Sequence, residues 1–370
     1  MQVRLLSCRD EILQVSEDWA RLAGSVPYRS PGWLSPWWEQ FGPGHELFVL
    51  AVETAGSEPL GLAPWYVTPC HSLGRVVRFL GSGQACSDYL CILARPGCEQ
   101  AVATAVAKCL LNGAAVAGKG SQANWDLLEL SSIWPGDPTM SELVRQMSEG
   151  GCTAHRRPAA SCWRIALPTT WEEYLATLSK PNRRRMRWAQ KRLQAADCRR
   201  HVAETAEEFQ RGWKTLVELH QQRRSSLGDP GCFACPRFEQ FLYTAAEQFH
   251  GDGRVRLSWI EIDQAPVAAM ICFVGNGVTY AYQTGIAADS LHENPGWLIQ
   301  SAAIREAIDA GHHSFDLLRG DEPYKGHLGA EPRPTIELRI VPNRLVPQLR
   351  HTAWLAAKTI KATLGGVKIW

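Results

Sequence analysis

The sequence predicts an α+β protein made of two consecutive modules, each a mixed sheet with helices packed on it. The chain has 370 residues, enough for about two domains of ordinary size. Its 45% hydrophobic and 21% charged residues are the proportions of a globular protein. Short apolar runs bounded by turn residues occur in both halves, and each half ends in a strand, a helix and a further strand.

Composition and charge narrow the class of protein. The 39 Lys and Arg exceed the 37 Asp and Glu by two, which excludes a globally basic nucleic-acid coat and leaves room for a local basic patch. The 12 Cys lack the dense spacing of a secreted disulfide framework. The N-terminus has no apolar stretch of signal-peptide length, and the apolar window that begins at Ala101 is too short to span a bilayer. We therefore expect a soluble, cytoplasmic protein with reduced thiols.

The first module is predicted over residues 1–167. Apolar runs at 48–53 and 59–67, separated by Ala-Gly-Ser-Glu, indicate a β-hairpin. An Ala-rich helix at 99–111 lies among further strands, which we predict at 75–80, 89–93, 125–130 and 162–167.

The second module is predicted over residues 168–343. Thr170 is a good N-cap for a first helix, and two more helices are expected at 207–222 and 236–249. A meander follows, with strands at 255–262, 267–274 and 278–283; the Asn-Gly pair before the last strand is a strong hairpin signal. A helix at 297–310 stops at Gly311, and the module closes with strands at 313–318 and 335–341 around a polar loop.

Two polar groups precede the meander. Seven basic residues between Lys180 and Arg192 repel one another, so we expect either an anionic partner or a solvated helix face. Cys232 and Cys235 have the spacing of a metal or redox pair, but no second such pair completes a zinc site, and two structural thiols are the default interpretation.

The most informative segment is Asp-Leu-Leu-Arg-Gly-Asp-Glu-Pro-Tyr-Lys at 316–325. A strand delivers Asp316 and Arg319, and Gly320 permits a sharp exit into a loop with Asp321, Tyr324 and Lys325. Polar residues at such strand ends are typical of binding sites. Tyr280 and Tyr282, two apart on a neighbouring strand, share one face of the sheet. The competing interpretation is a salt-bridged strand end with packed tyrosines.

These residues resemble the cellulose-biosynthesis type of acetyltransferase in the GNAT superfamily. The likeness covers almost the whole chain, and its further motifs recur in the expected order: Trp33-Leu with Trp37-Trp38, Gly61-Leu-Ala-Pro64, Gly81-Ser82, Ser87-Asp88-Tyr89, Asn182-Arg183-Arg184 and Pro295-Gly296. The resemblance implies two GNAT-like folds in tandem, related to the Fem-type aminoacyl transferases. It also implies acyl transfer from acetyl-CoA or another acyl-CoA, in members often linked to exopolysaccharide synthesis.

The GNAT core implies that two parallel strands splay apart, here 278–283 and 313–318. The thioester enters this wedge, and the helix that begins at Pro295-Gly296 receives the pyrophosphate. Ordinary GNAT enzymes carry a Gln/Arg-x-x-Gly-x-Gly/Ala loop before that helix, and residues 285–294 contain no such pattern. A Fem-like aminoacyl-tRNA donor is therefore the alternative. A non-catalytic module that binds glycans or a partner is a third interpretation.

Site roles follow from the resemblance and the strand-end chemistry. An acceptor, which we expect to be a sugar or another cell-envelope precursor, must lose a proton while an oxyanion is stabilised. We predict no metal. The predicted site residues are, for catalysis, Asp316, Asp321, Tyr280 and Tyr282; for the cofactor, Gln283, Gly285, Pro295 and Gly296; and for the substrate, Asp88, Arg183, Arg184, Arg319, Tyr324 and Lys325.

The last predicted unit, residues 344–370, is a basic amphipathic helix. No Asp or Glu follows Leu338, and the tail carries five Lys or Arg residues. One interpretation packs the Trp354 side on the second domain. The other places the helix on an anionic inner-membrane surface, where lipid-linked precursors are found.

Overall fold

The computed structural model describes residues 1–24, 26–54, 58–112 and 124–364, with side chains described as far as Ala357. Within these ranges the chain forms one mixed sheet and twelve α-helices. The strands are β1 (Gln2–Leu6), β2 (Glu46–Glu53), β3 (Pro59–Cys70), β4 (Gly74–Phe79), β5 (Leu93–Ala94), β6 (Leu127–Ile133), β7 (Thr153–Ala166), β8 (Cys198–Val202), β9 (Val255–Ile262), β10 (Ala265–Gly275), β11 (Val278–Ile286), β12 (Ser314–Arg319) and β13 (Glu331–Val341).

The helices pack on this sheet and frame its strands. They are α1 (Arg9–Gln14), α2 (Ser16–Ala23), α3 (Pro31–Phe41), α4 (Glu99–Asn112), α5 (Pro138–Glu149), α6 (Trp171–Thr177), α7 (Lys180–Arg192), α8 (Ala206–Ser226), α9 (Pro236–Gly251), α10 (Pro295–Asp309), α11 (Pro323–His327) and α12 (Leu345–Leu364). The predicted α+β class is thereby confirmed. Among the described residues, no helix combines the length and the apolarity needed to span a membrane.

The sheet shows that the same strand order occurs twice. Its order is β1-β2-β3-β4-β6-β13-β7-β12-β11-β10-β9-β8, and β5 pairs with β3 off this path. In each module three antiparallel strands lead to one parallel pair, β4 with β6 and β11 with β12. A helix, α4 or α10, joins the two strands of each parallel pair, as the predicted strand–helix–strand units require.

The last strand of each module is exchanged with the other module. β7 ends the first module in sequence but pairs with β12, while β13 ends the second module and pairs with β6. β7 and β13 also pair with each other along almost their whole length. The boundary at residues 167 and 168 stays a prediction about the sequence, and the exchanged strands join the modules into one sheet.

The two modules also share a hydrophobic core. Trp33 on α3 packs edge-on against Phe241 on α9 and Phe273 on β10, with ring centroids 4.8 and 5.2 Å apart. All three side chains are buried. Contact between large aromatic rings of both modules stabilises their relative position.

Local sequence signals account for many element boundaries. Thr170 accepts a hydrogen bond from the Glu173 backbone N–H while the Glu173 side chain accepts from Thr170, a capping box that starts α6 as predicted. Pro295 occupies the first turn of α10, and Gly311 follows that helix with a φ of 73°. The helices α8 and α9 and the meander β9–β11 also lie where the sequence predicts them. The hairpin turn expected between β2 and β3 includes residues 55–57, which lie outside the described residues.

One predicted strand is wrong. Residues 89–93 do not form a strand; only Leu93–Ala94 pairs with β3. Tyr89 has a φ of 62°, which no strand tolerates, and its side chain turns toward β12. The predicted polar loop after β12 contains α11 and the first residues of β13. The long-range hydrogen bond from Tyr89 to Asp316 thus prevails over the strand preference of the apolar run at 89–93.

Candidate active site

The wedge expected between β11 and β12 is present. The two strands pair in parallel only from Val278 opposite Ser314 to Tyr280 opposite Asp316. Beyond Tyr280, β11 continues against β10 as far as Ile286 but no longer pairs with β12. The β12-facing edge of this part of β11 therefore has backbone groups that the sheet does not use.

A bulge in β12 sets the shape of this wedge. Pairing with β7 advances from Asp316 to Arg319 on β12 while it moves by only two residues on β7. Leu318 lies in the bulge with a φ of 56°, and its backbone N–H donates to Asp316 Oδ1 at 2.8 Å. Gly320 follows with a φ of 116°. A left-handed leucine is strained backbone, held here by the carboxylate of Asp316.

Asp316 lies at the centre of a buried polar network. Its Oδ2 accepts hydrogen bonds from the Tyr89 hydroxyl at 2.6 Å and from Arg164 Nε at 2.7 Å. The side chain has no exposed surface. Burial, reinforced by the Asp316 charge, raises the pKa of Tyr89, so the phenol stays protonated and donates. The guanidinium of Arg164 also lies over the Tyr89 ring, 5.3 Å from its centroid.

A second ion pair joins the modules beside the first. Arg319 donates from its backbone N–H to Asp88 Oδ2 at 3.0 Å and from Nε to Asp88 Oδ1 at 2.7 Å. Its terminal nitrogen donates to the Ser87 carbonyl and to Ser132 Oγ. Asp88 is 1% exposed, and burial raises the pKa of its carboxyl although Arg319 opposes that shift. These two predicted substrate residues bind each other.

Lys325 fixes the loop that follows β12. Its ammonium donates to three consecutive carbonyls, those of Leu318, Arg319 and Gly320, at 3.1, 2.8 and 3.0 Å. Glu322 completes the set at 3.0 Å, and the lysine is 2% exposed. The lysine thereby holds the exit from β12 in one conformation.

A cavity of about 480 Å³ opens in the wedge. Its walls come from α8, from β11 beyond the splay, from the first turns of α10 and from the loop after β12. Its volume lies within the ordinary range of small-molecule sites. The lining residues that matter below are His220, Arg223, Thr284, Gly296, Gln300 and Tyr324.

The α10 end of the cavity suits an anion. α10 has no acidic residue in its first turn, and a Cβ built at Gly296 would meet nothing within 4 Å. The nearest acid in sequence, Glu293, is paired with Arg192 at 3.1 Å. Free N–H groups and the helix dipole favour negative charge at such an end.

Two further features of the cavity indicate a ligand. Arg223 forms no ion pair within the described residues, while its neighbour Arg224 pairs with Asp229 at 3.5 Å. Gln300 is 6% exposed, and among the described residues nothing donates to its buried Oε1. A buried acceptor left without a donor is costly, so the site favours a ligand with an N–H or O–H group.

The structure brings some predicted site residues together and separates others. Gly296 and Tyr324 line the cavity, and Pro295 begins the helix at its edge. Asp88, Arg319, Asp316 and Lys325 form the buried network at the apex of the wedge, with Tyr280 opposite Asp316. The exposed Asp321 accepts a hydrogen bond from Trp163 Nε1 at 3.0 Å.

The remaining predicted residues have structural contacts. The Tyr282 hydroxyl donates to the Ala85 carbonyl at 2.6 Å. A Cβ at Gly285 would lie 2.7 Å from the backbone nitrogen of His220, so this glycine lets α8 approach β11. Gln283 donates to Cys232 Sγ at 3.6 Å.

The two predicted substrate arginines on α7, Arg183 and Arg184, differ in their contacts. Arg183 donates to the carbonyls of Leu175, Ala176 and Leu178 and so closes the end of α6, whereas Arg184 is exposed. Much of the basic run on α7 is likewise engaged: Arg185 lies over the Trp297 ring, Arg187 pairs with Glu172, and Arg192 pairs with Asp197.

Sequence reasoning missed several residues of the wedge. Arg164 gave no signal because its partner Asp316 is 152 residues away. A signal for the cavity wall was present: His220, Arg223, Arg224 and Leu227 recur at the spacing of one helix face. Within the described residues no group of three or more His, Cys, Asp or Glu could hold a metal ion.

Comparison with known families finds a match to part of the chain. Residues 180–326 match the model of the acetyltransferase (GNAT) domain. The match includes the whole wedge, from α7 to the loop that follows β12. No curated protein matches the sequence at a significant level.

Solved structures resemble the chain over nearly its whole length. The crystal structure of FemX is 12% identical, covers 94% of this chain and 99% of its own, and gives a TM-score of 0.63. A conserved protein of unknown function from Bacteroides thetaiotaomicron VPI-5482 is 8% identical, covers 92% and 100%, and gives 0.59. The C-terminal domain of a putative lysylphosphatidylglycerol synthetase from Agrobacterium fabrum is 10% identical, covers 96% and 98%, and gives 0.53. At these identities the likeness shows the fold, which includes the module that precedes residues 180–326.

Proposed function

We propose that the protein is an acyltransferase that moves an acyl group, acetyl in the simplest case, from acyl-CoA to an amine or hydroxyl. The observation that carries this proposal is the cavity in the open wedge of the GNAT domain, with the N-terminus of α10 at one end. A wedge beside an uncompensated helix N-terminus fits a thioester whose other end carries phosphates.

The donor would use three parts of the cavity. Its phosphates would lie at the first turn of α10, near Gly296, with Arg223 and Arg224 as cationic partners. An amide N–H of its extended arm would satisfy Gln300 Oε1, the buried acceptor that has no donor within the described chain. Backbone groups of β11 beyond Tyr280 would pair with the same arm as a further strand does.

The thioester would then reach the apex of the wedge. Tyr280 is opposite Asp316 there, and burial raises the pKa of its phenol to about 12. A protonated phenol is able to donate a hydrogen bond to a developing oxyanion. We assign this role to Tyr280 rather than Tyr282, whose hydroxyl is bound to Ala85. The buried Asp316 and Asp88 act by holding the strained end of β12 in place.

The acceptor is proposed from the resemblance to the cellulose-biosynthesis type of GNAT enzyme. A sugar or another cell-envelope precursor, including one for exopolysaccharide, supplies the hydroxyl or amine. Asp321 is exposed at the start of the loop after β12 and is our candidate for orienting that group. Replacement of Asp321 by Asn should reduce transfer while leaving donor binding intact; unchanged transfer would remove this assignment.

Binding of CoA tests the proposal directly. Isothermal titration with CoA and acetyl-CoA should show binding, and Arg223→Ala with Arg224→Ala should weaken it more than tenfold, since each charge-assisted contact contributes about 1.5–3 kcal/mol. Lys214→Ala is the matched control, because Lys214 lies exposed on the same helix and pairs with Glu218 instead. A wild-type protein that binds neither compound would overturn the proposal.

A second candidate donor is aminoacyl-tRNA, as in Fem-type enzymes. It is favoured by the connection between β11 and α10, which contains the short turn Leu291–Glu293 and no glycine-rich pyrophosphate loop. Lys180, Arg184 and Lys191 are exposed on α7 and would contact the phosphate backbone. In that case tRNA binding should fall steeply with salt. Stabilisation by nucleotide sugars alone would instead favour a non-catalytic glycan-binding module.

A further inference from the structure

A chain of hydrogen bonds fixes the proton positions of one imidazole in the cavity wall. The Gln221 amide nitrogen donates to the Pro230 carbonyl at 2.9 Å, so its Oε1 is left as an acceptor. That oxygen lies 3.1 Å from His220 Nδ1. Because Oε1 only accepts, Nδ1 carries the hydrogen, and the neutral ring has its lone pair on Nε2.

Among the described residues, the second ring nitrogen of His220 has only a weak partner. His220 Nε2 lies 3.7 Å from Cys232 Sγ, and the same sulfur accepts a hydrogen bond from Gln283 on β11. Burial raises the pKa of Cys232 to about 12, so the group is a thiol at neutral pH. An S–H group is a weak donor that an alcohol or amine displaces readily.

We propose that His220 is the general base of the transfer, with Gln221 as the residue that positions it. This inference rests on the acyltransferase function proposed above. His220 lines the wedge cavity and is 3% exposed, and its unprotonated Nε2 lies beside Cys232 Sγ, the sulfur that Gln283 of β11 also contacts. The ring is held edge-on to Phe233, with centroids 5.0 Å apart.

The step balances without a further reactant. Nε2 accepts the proton of the acceptor O–H or N–H as that atom bonds to the thioester carbonyl carbon. The tetrahedral intermediate collapses with cleavage of the carbon–sulfur bond, and the sulfur leaves with the electron pair. The imidazolium returns its proton to the thiolate, so free CoA forms and His220 is neutral again.

The acids near the wedge are less suited to this role. Asp316 accepts three hydrogen bonds and has no exposed surface. Glu322, on the far wall of the cavity, pairs with Lys325. Asp321 lies outside the residues that line the cavity. His220 also lines the cavity, and burial is the main cause that lowers its pKa, so its ring stays neutral and able to accept a proton.

The charged surroundings of His220 set the direction of the pH effect. On its own helix, Arg223 and Arg224 also line the cavity, and Arg224 disfavours a second positive charge. Asp229 in the following loop opposes that effect weakly, and Cys232 is an uncharged thiol. Across the cavity lie Tyr324 and the paired Glu322. The net result is a base that stays unprotonated at neutral pH and is lost only below pH 6.5.

Two measurements test the proposal, one of them independent of activity. Long-range ¹H–¹⁵N NMR of the ligand-free protein should show His220 as the Nδ1–H form with a pKa below 6.5, and Gln221→Leu should release that preference. Hydrolysis of acetyl-CoA to acetate and CoA, with water as the acceptor, should fall about 10²–10⁴-fold in His220→Gln. Its KM should change only a few-fold, and the acidic limb of the pH profile should disappear.

Two controls make the outcome decisive. His312→Gln removes another histidine of lowered pKa, which hydrogen-bonds Thr279 away from the cavity, and should keep the limb. Cys232→Ala should retain most of the turnover. Loss of activity in Cys232→Ala with an acetylated Cys232 in the wild type, or an unchanged limb in His220→Gln, would overturn the role of His220. Failure of the wild type to bind acetyl-CoA would overturn the proposed function instead, while the NMR result would still stand.

Discussion

The strands β6 and β12, each the second strand of its module's parallel pair, carry the same bulge and different side-chain chemistry. Pairing between β6 and β13 advances from Leu130 to Ile133 on β6 while it moves by two residues on β13. β12 makes the same bulge against β7. Even the strained residue recurs, since Ser132 and Leu318 occupy the same place in the bulge with φ of 61° and 56°. The bulge therefore belongs to the fold and not to one activity.

The side chains at equivalent positions of the bulge differ between the two modules. Register places Leu130 opposite Leu338 in the first module where Asp316 is opposite Arg164 in the second. Ile133 likewise takes the place of Arg319. The apolar pair completes a core, while the ion pair leaves a charged, hydrogen-bonded network at the apex of the wedge.

The connections after the first strand of each pair differ as well. In the first module, the chain after β4 is largely buried and sends Asp88 and Tyr89 to bind Arg319 and Asp316 of the other module. Its helix α4 begins with Glu99, an acid that matches the helix dipole from within the chain. α10 has no such acid and borders the cavity. The first module thus contributes side chains that hold the end of β12, while the cavity itself lies in the second module.

Replacement of the ion pair between Asp316 and Arg164 should have the largest effect on the free energy of unfolding. Asp316→Leu alone should destabilise the protein by about 3–5 kcal/mol, because the partly buried Arg164 and the buried Tyr89 hydroxyl both lose their acceptor. The double variant Asp316→Leu with Arg164→Leu copies the first module and should recover most of that loss. A residual cost of about 1–3 kcal/mol is expected from the Tyr89 hydroxyl. Urea unfolding of both variants measures the difference, and equal stabilities would contradict the equivalence of the two positions.

A methyl group at Gly285 should have the next largest effect. Its Cβ would meet backbone atoms of α8, the His220 nitrogen at 2.7 Å and the Leu216 oxygen at 2.8 Å. Since backbone cannot rotate away, Gly285→Ala should destabilise by about 1–3 kcal/mol and disturb CoA binding. Gly296→Ala, in the same module but with open space around it, is the control. Loss of stability in that control alone would show that the packing of α8 on β11 is not the cause.

The pH dependence of stability should differ between the modules. Burial lowers the pKa of His220 in the second module and of the half-buried His45 in the first. Below pH 6.5 the unfolded chain binds the proton and the folded chain resists it, so this stability is present above pH 6.5 and is lost as pH falls, by at most about 1.4 kcal/mol per unit for each group. Urea unfolding at pH 7.5 and 5.5 gives the change in unfolding free energy between these two pH values. His220→Gln should reduce this change more than His45→Gln does. The reverse order would contradict the deeper burial of His220.

The smallest expected effect is on membrane binding by α12, the helix that lies on the exchanged strands. Trp354 packs over Arg339 of β13, 3.9 Å from the ring centroid, so the predicted packing of this face is confirmed. Leu345 and Leu349 are 75% and 60% exposed. We propose that this outer face contacts an anionic bilayer, toward which the basic tail would be drawn. The side chains of Lys358, Lys361 and Lys368 lie outside the described residues.

Vesicle co-sedimentation tests this contact. The wild type should pellet with anionic liposomes at low salt, and Leu345→Asp with Leu349→Asp should reduce the bound fraction several-fold. Leu13→Asp changes a leucine on α1 that is 56% exposed and should have no effect. Equal binding by all three proteins would remove α12 as the contact.

The sequence alone determined the elements whose signals are local. The capping box of Thr170, the Asn-Gly turn before β11 and the Gly311 stop after α10 act within a few residues, so the meander and its helix could be predicted. The short run at 316–325 lies at the apex of the wedge, and its place at a strand end could be predicted because Gly320 permits a sharp exit after Asp316 and Arg319. Those signals fix backbone conformation without any distant partner.

Only the tertiary structure decided what those polar residues bind. Arg319 meets Asp88 across 231 residues, and Asp316 meets Tyr89 across 227, so no local pattern reports either contact. The exchange of β7 and β13 between the modules also could not be predicted from the sequence. The alternation of apolar and polar residues along a strand does not specify which strand it pairs with. The cavity arises where β11 and β12 cease to pair, and α8 closes it from a distant part of the chain. Pairing and closure depend on the register of the whole sheet, which is set by the summed packing of both modules.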